Sequence, residues 1–553
     1  MKRYYSVILF ILFVLSVNGC AFRQITVPEI TDSDFASAYR NDLKTLSSDK
    51  FQGRKPGTPG GQLTQEYLIN SFKSMGLEPG NNGSYMQEVK LSLSKGKASG
   101  IVTVNADGDS LNTEWNTHIL PRIKGVNSDL SFINKELVFV GFGSESDKFS
   151  WHDYEDIDVN GKIAIILRNH AGFAAGDSLI MNDPDAGTYA FFATKYEMAE
   201  SHGASGALVI VDTKLNKSTL TWEQRVKGFS NGQNSLYGAE KDTSTMKLRA
   251  LISVEIGKQL LALAGFDYDS LVIAAYSTGF KAFNLGVTFS GEFSREESIY
   301  SSNNVLALIR GSKRPDEVVI YTAHWDHLGM NEELEGDSIF NGAADNGTGI
   351  ASILNLARAF KAQPVPPERS ILFMGYTAEE MGLLGSKYYA DNPVFPLRMS
   401  VASINIDMLN FGGKTHDLIM FGSGKSDLEE YAEKAAVKHG MHIQDDLWPE
   451  EGYYFRSDNI SLAKKGLPSL SMNNGIDSKE FGKEWGMEYH KTFVDSNYHK
   501  ASDEYSEDLN LDGIMQYLQV VFDIGYTLSN SNDFPNWYKD DEFRPIRDAS
   551  RAK

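Results

Sequence analysis

The sequence predicts an α/β fold: a mostly parallel central sheet flanked by helices, interrupted by an inserted β-rich domain. Three observations carry this expectation. First, the apolar runs Val305–Ile309, Val318–Thr322, Ile371–Tyr376 and Val401–Asn405 alternate with helix-like stretches at Gly349–Phe360, Glu379–Tyr389 and Leu428–His439. Second, polar residues close several of those runs, which is where an open parallel sheet builds a site. Third, from about Val89 to Ser290 the texture changes to short β-like runs such as Leu137–Phe142, Lys162–Leu167 and Ala207–Val211.

The totals bound the rest. At 553 residues the chain exceeds a single core, so two or three domains are expected. A composition of 41% hydrophobic and 23% charged residues is that of a globular protein. The formal net charge of −20 argues against nucleic acid or an anionic membrane surface as the main partner. Cys20 is the one cysteine, which excludes an intramolecular disulfide and a multi-thiolate metal site.

Taken in order, the chain opens on Met1-Lys-Arg and an apolar run, Tyr4–Val17, too short to span a bilayer and suited to a signal-peptide core. Cys20 after Val17-Asn-Gly19 resembles a bacterial lipobox, which implies export and a lipid anchor at Cys20. Ala21 in the next position points to the outer membrane of a Gram-negative cell envelope or its periplasm. Residues 1–19 are thus expected as the signal peptide and 20–31 as a tether. The main domain is split between 32–130 and 279–530, the insert occupies 131–278, and 531–553 form a tail. Nothing in the sequence sets the oligomeric state.

Helical spacing covers Ser37–Leu46 and Gly61–Met75, with the Gly/Pro loop Phe51–Gly60 between them. Gly53 and Arg54 in that loop are expected to be structural. Within the insert, Phe191–His202 predicts a helix before the strand Gly206–Val211. His118, His152, His170 and His202 are scattered there without an ordered set of carboxylates, so they are assigned to surface or packing. No phosphate-binding loop occurs in the chain, and Gly228-Phe-Ser230-Asn-Gly232, which fits the Gly-x-Ser-x-Gly spacing, follows the charged stretch Glu223–Lys227 rather than the apolar strand that a nucleophile elbow needs.

The chemistry concentrates between Val318 and Ile350, in VVIYTAHWDHLGMNEELEGDSIFNGAADNGTGI. The first run ends in His324-Trp-Asp326, and Asp345 follows in NGAADNGTG. Thr377-Ala-Glu379-Glu380 and Asn405-Ile-Asp407 end later runs, and Tyr498-His499 stands near the C-terminus. Imidazole and carboxylate at the ends of successive elements suit a divalent cation, and the set as a whole describes a two-metal hydrolase. Alone, Glu379-Glu380 is an ordinary acidic helix start and Asp407 an ordinary cap. Order and placement together make the signal specific.

His324-x-Asp326, Asp345-Asn346-Gly-Thr-Gly, Glu379-Glu380, Asp407 and His499 resemble, in sequence order, the co-catalytic zinc aminopeptidases of the M28 family. Asp153–Lys162 and Ala199–Val211 resemble the protease-associated domain, a β-rich insert of several exopeptidase families. The M28 resemblance implies two Zn²⁺ ions bridged by Asp345, one completed by His324 and Asp407, the other by Glu380 and His499. It implies Glu379 as general base, and Asp326 as acceptor of the second imidazole N–H of His324. It also implies a cis peptide between Asp345 and Asn346. His327 is expected to pack or hydrogen-bond beside the site, and HKASDEY favours His499 over His490. Tyr453–Asp458 resembles the family loop that lines the substrate, with Tyr454, or else Tyr453, as hydrogen-bond donor to a developing oxyanion. The implied substrate is a peptide with a free N-terminus. The alternatives are a carboxypeptidase or dipeptidase of the same superfamily, and a non-catalytic binding protein on this scaffold.

Overall fold

The sheet that carries the site is built from strands whose sequences are apolar on both faces. A computed structural model describes residues 33–552, apart from 98–100, 107, 122–128, 177–179, 181–186, 188, 217–219, 231 and 239–245. The leader, Cys20 and the tether therefore lie outside the described residues. In space the strands run Met86–Lys97, Phe283–Ile309, Arg369–Tyr376, Arg314–His324, Ser400–Asn405, Ser469–Asn474, Asp417–Phe421 and His442–Asp445. From Arg369–Tyr376 through Ser469–Asn474 the pairing is parallel, and the joins on either side of that block are antiparallel. The sheet is mixed, with its parallel block at the centre.

Every residue of Arg369–Tyr376 and Ser400–Asn405 is buried, as is Arg314–His324 from Val318 onward. Burial on both faces is why these strands appear as continuous apolar runs rather than alternating ones. Helices Ser33–Leu46, Thr348–Lys361 and Asp512–Asn530 share one core with one face, through Leu43, Leu354, Phe360 and Phe522. On the other face Tyr389 of helix Leu384–Asp391 packs with Leu306, Ile320 and Leu372.

A second sheet joins Asp129–Phe139, Ile163–Leu167, Gly206–Val211 and Leu248–Ser253 in parallel, with Ile119–Pro121 antiparallel at its edge. Its cores run from Val102 to Phe293 in sequence, so they extend past 131–278 on both sides. The 27-residue strand Phe283–Ile309 links the two sheets. Its first part pairs with Asp129–Phe139 and Ile101–Ala106, and its last part with Arg369–Tyr376, so one strand serves both sheets.

Candidate metal centre

The C-terminal end of the parallel block delivers the candidate ligands. His324 is the last residue of its strand, Glu379 and Glu380 follow Arg369–Tyr376, and Asp407 follows Ser400–Asn405. Asp345 sits in the tight turn Ala343–Gly347 that opens helix Thr348–Lys361, and the Asp345–Asn346 peptide is cis. Three non-glycine residues at the site hold positive φ: Ala378 (55°), Met408 (50°) and His499 (56°). Such conformations cost on the order of 1–3 kcal/mol each and persist where surrounding structure enforces them. Here they turn the chain at Glu379, at Asp407 and at the terminal imidazole.

Two groups of ligand atoms result, and they share Asp345. His324, Asp345 and Asp407 form one; His327, Asp345 and Glu380 form the other. In the first, His324 Nε2 lies 3.3 Å from Asp345 Oδ1 and 3.2 Å from Asp407 Oδ1. Beside the second, His499 Nε2 lies 3.1 Å from Asp345 Oδ2 and 3.2 Å from Glu380 Oε2. The other Glu380 oxygen, Oε1, is 2.6 Å from His327 Nδ1. Glu380 thus has an imidazole on each carboxylate oxygen, and His327 hydrogen-bonds beside the site as the sequence leads one to expect.

Charge tests whether cations fit. Asp326, Asp345, Glu379, Glu380, Asp407 and Asp458 crowd around these imidazoles, almost all deeply buried. Uncompensated buried carboxylates are costly, so this cluster calls for positive charge that the side chains do not supply in full. Imidazole nitrogen and carboxylate oxygen form the donor set of zinc, and the two adjacent groups fit a pair of zinc ions. Burial alone raises the Asp345 carboxyl, but hydrogen bonds from His324 and His499 outweigh it and hold the group well below the usual range. Glu379 goes the other way: burial pushes it well above the ordinary carboxylate value, and the charges of Glu380, Asp458 and Asp407 push it further. One carboxylate is held ionised and its neighbour basic, the division expected of ligand and base.

Two sequence expectations change. The Asp326 carboxylate does not receive the His324 N–H; His324 Nδ1 meets the Asp326 backbone carbonyl at 3.0 Å instead. The carboxylate accepts from the backbone N–H groups of Glu379 (3.0 Å) and Glu380 (3.4 Å), so it sets the turn that carries both glutamates. Burial pushes its carboxyl up to about 7. Tyr454 is not at the site. It packs with Ile419, Phe421, Trp537 and Phe543, under a cation–π contact from Lys425. It lies in the one-turn helix Tyr453–Arg456, where neighbouring side chains point about 100° apart. Tyr453 and Arg456 face the cavity, and Tyr454 faces the core. The phenol beside the ligands is Tyr498, whose ring stacks on His499 at 3.9 Å and which lines the cavity.

That cavity measures about 980 Å³ and is bordered by His324, Asp345, Glu379, Glu380, Asp407 and His499 at its floor. Its walls are mainly aromatic and aliphatic, including Phe421, Trp448, Tyr453, Phe455 and Ile460. The second sheet's domain supplies Tyr189, Phe191, Phe192 and Met198 to the opposite side. A concave, apolar space over a few convergent polar groups is the usual form of a small-ligand site. Arg456 also lines it, near Glu451, whose carboxylate is 3.7 Å away, and near Glu379.

Against known families, residues 304–524 match Peptidase family M28. Aminopeptidase YwaD of Bacillus subtilis is 27% identical over 199 residues, which is 35% of this chain and 35% of that protein. The mouse aminopeptidase NAALADL1 is 35% identical over 120 residues, 21% of this chain and 15% of that protein. The chain thus spans about a third or less of the first curated relatives it matches. A longer alignment, 23% identical over 506 residues, joins it to the Mycobacterium tuberculosis protein named "Probable lipoprotein aminopeptidase LpqL", covering 88% of this chain and 83% of that one. Among solved structures, an aminopeptidase from Aneurinibacillus sp. strain AM-1 shares the fold, with TM-score 0.50 and 20% identity over 91% of this chain and 96% of that one. His324, Asp345, Glu380, Asp407 and His499 all lie within residues 304–524, the segment that matches Peptidase family M28.

Proposed function

We propose that the protein is an exported two-zinc aminopeptidase that hydrolyses the N-terminal bond of peptides. The observation that carries this reading is the pair of ligand groups sharing Asp345, with Glu379 poised beside them at 4.0 Å from His324 Nε2. His324, Asp345 and Asp407 would hold one zinc, and Glu380, Asp345 and His499 the other. When bound, the two ions polarise the scissile carbonyl and make water nucleophilic at neutral pH. Glu379 takes the proton of the attacking water and delivers it to the leaving amine. Asp326 holds the Glu379 turn in place, and Ser457 Oγ donates to Asp407 Oδ2 at 2.5 Å, fixing that ligand's orientation. Tyr498 is the donor at hand for the developing oxyanion.

Arg456 in the cavity wall supports a second reading, capture of a free C-terminal carboxylate, as a carboxypeptidase or dipeptidase requires. Glu451 and Glu379 already answer its charge, which favours the first reading. Matched short peptides separate the two. Free-amine peptides should lose their N-terminal residue, and their N-acetylated versions should be inert. Release of C-terminal residues from N-acetylated peptides would overturn the aminopeptidase reading.

The domain facing the cavity, expected from its sequence to be protease-associated, roofs the substrate space in this reading. The lipid anchor is proposed on the lipobox-like Val17–Cys20, with a distant relative named as a lipoprotein in support. Cys20→Ser should move the protein from the membrane fraction to the soluble fraction of the envelope. Unchanged fractionation would remove the anchor from the account.

A further inference from the structure

Arg54 and Asp503 lie outside the ligand set, yet both are almost fully buried and both end on the backbone around Asp345. Arg54 spends its whole guanidinium on carbonyl oxygens. Its Nε donates to Trp325 O (3.0 Å), Nη1 to Leu46 O (3.0 Å) and Asn341 O (2.5 Å), and Nη2 to Gly342 O (2.9 Å) and Asp345 O (3.3 Å). Asp503 does the complementary thing with acceptors. Its carboxylate takes the backbone N–H of Ala344 (2.9 Å to Oδ1) and of Asp345 (3.0 Å to Oδ2).

We infer that Arg54 and Asp503 are a pair of positioning residues that grip Asp345 by its carbonyl and its N–H, and so set where the shared carboxylate stands between the two imidazoles. The inference rests on the two-zinc reading above, since it assigns Asp345 the bridging place. Neither residue lines the cavity, so neither touches substrate. The surroundings are built for this approach. Gly53 (φ 62°) leaves no room for a side chain, because a Cβ there would stand 2.4 Å from Gly329 O. At Gly342 (φ 55°) a Cβ would stand 2.2 Å from Asp345 O and 2.8 Å from Arg54 Nη2. Asp503 also lies four residues past His499, so the segment that presents the terminal imidazole fixes the bridging ligand as well. A buried arginine could be wholly structural. What separates that case is zinc affinity in protein that remains folded, because partners behind a ligand tune metal binding by about 10–100-fold.

The test titrates zinc into chelator-stripped wild type, Asp503→Asn and Arg54→Lys, in competition with a chromogenic chelator, with folded fraction and Tm measured alongside. Asparagine keeps the shape of Asp503 but turns one acceptor into a donor facing a backbone N–H. Lysine keeps the charge of Arg54 but cannot form the fork to five carbonyls. Arg369→Lys is the control: Arg369 is also buried and donates to the Leu528 and Asp533 carbonyls, far in the fold from Asp345. The expected result is a rise of about 10–100-fold in the dissociation constants of both ions in Asp503→Asn and Arg54→Lys, and none in Arg369→Lys. Wild-type zinc affinity in the folded Asp503→Asn and Arg54→Lys proteins, whatever their Tm, would overturn the inference and leave the two-zinc reading intact. Wild type that takes up no zinc would overturn both.

Discussion

Glu379→Gln is expected to lower kcat by about 10²–10⁴-fold, the range for loss of a general base, while zinc content stays at the wild-type level. Glutamine is nearly isosteric, so the turn should survive: its backbone N–H would still donate to Asp326. What disappears is the proton acceptor. The Glu379 carboxyl is buried and pushed well above its ordinary value, chiefly by desolvation, with Glu380, Asp458 and Asp407 adding to it. A carboxylate of raised basicity next to a site for cations can accept a proton from water and still give it up to an amine. Loss of zinc together with loss of turnover would mean that Glu379 is a ligand, and that the base must be sought elsewhere.

Removal of metal by chelation is expected to abolish turnover and to lower Tm by on the order of 10 °C, both reversed by zinc. The activity loss follows because no side chain in the cavity replaces the charge that two divalent ions bring to a carbonyl. The stability loss follows from linkage: a ligand held at 1,000 times its dissociation constant stabilises the fold by about 4 kcal/mol. For a domain larger than about 250 residues each kcal/mol shifts Tm by roughly 1–2 °C, so two such ions together give a shift on the order of 10 °C. The stripped protein also keeps a buried cluster of carboxylates around Asp345 that imidazoles and the nearby Arg456 answer only in part. An unchanged Tm after verified removal would mean that the cluster is balanced without cations.

Much of the centre was legible because parallel strands advertise themselves twice, as unbroken apolar runs and as polar residues at their C-terminal ends. His324, Glu379, Glu380 and Asp407 all follow that rule, and the structure brings each of them to Asp345 or to its neighbours. The misses have a common cause: they depend on the direction of a side chain after the regular element ends. Tyr454 and Tyr453 are adjacent in sequence, but a single helical turn sends one into the core and the other to the cavity. Asp326 stands two residues beyond its strand, and the turn there exchanges the roles of its carboxylate and its carbonyl toward His324 and Glu379. Arg54 gave no sign of its partners, because all of them are backbone oxygens brought together by long-range folding. The limits of the second domain were hidden for a different reason. A strand shared by two sheets carries no turn signal at the border: Arg295–Ser302 is polar apart from Ile299 and Tyr300, and contains neither glycine nor proline.

The central claim is two metal ions on one shared carboxylate, and stoichiometric titration tests it most directly. Chelator-stripped protein would receive zinc in measured fractions of an equivalent while hydrolysis of a free-amine peptide is followed. The account predicts that activity stays low or partial through the first equivalent and reaches its plateau at two zinc ions per chain. A plateau already complete at one equivalent, or hydrolysis that persists with no zinc bound, would contradict it.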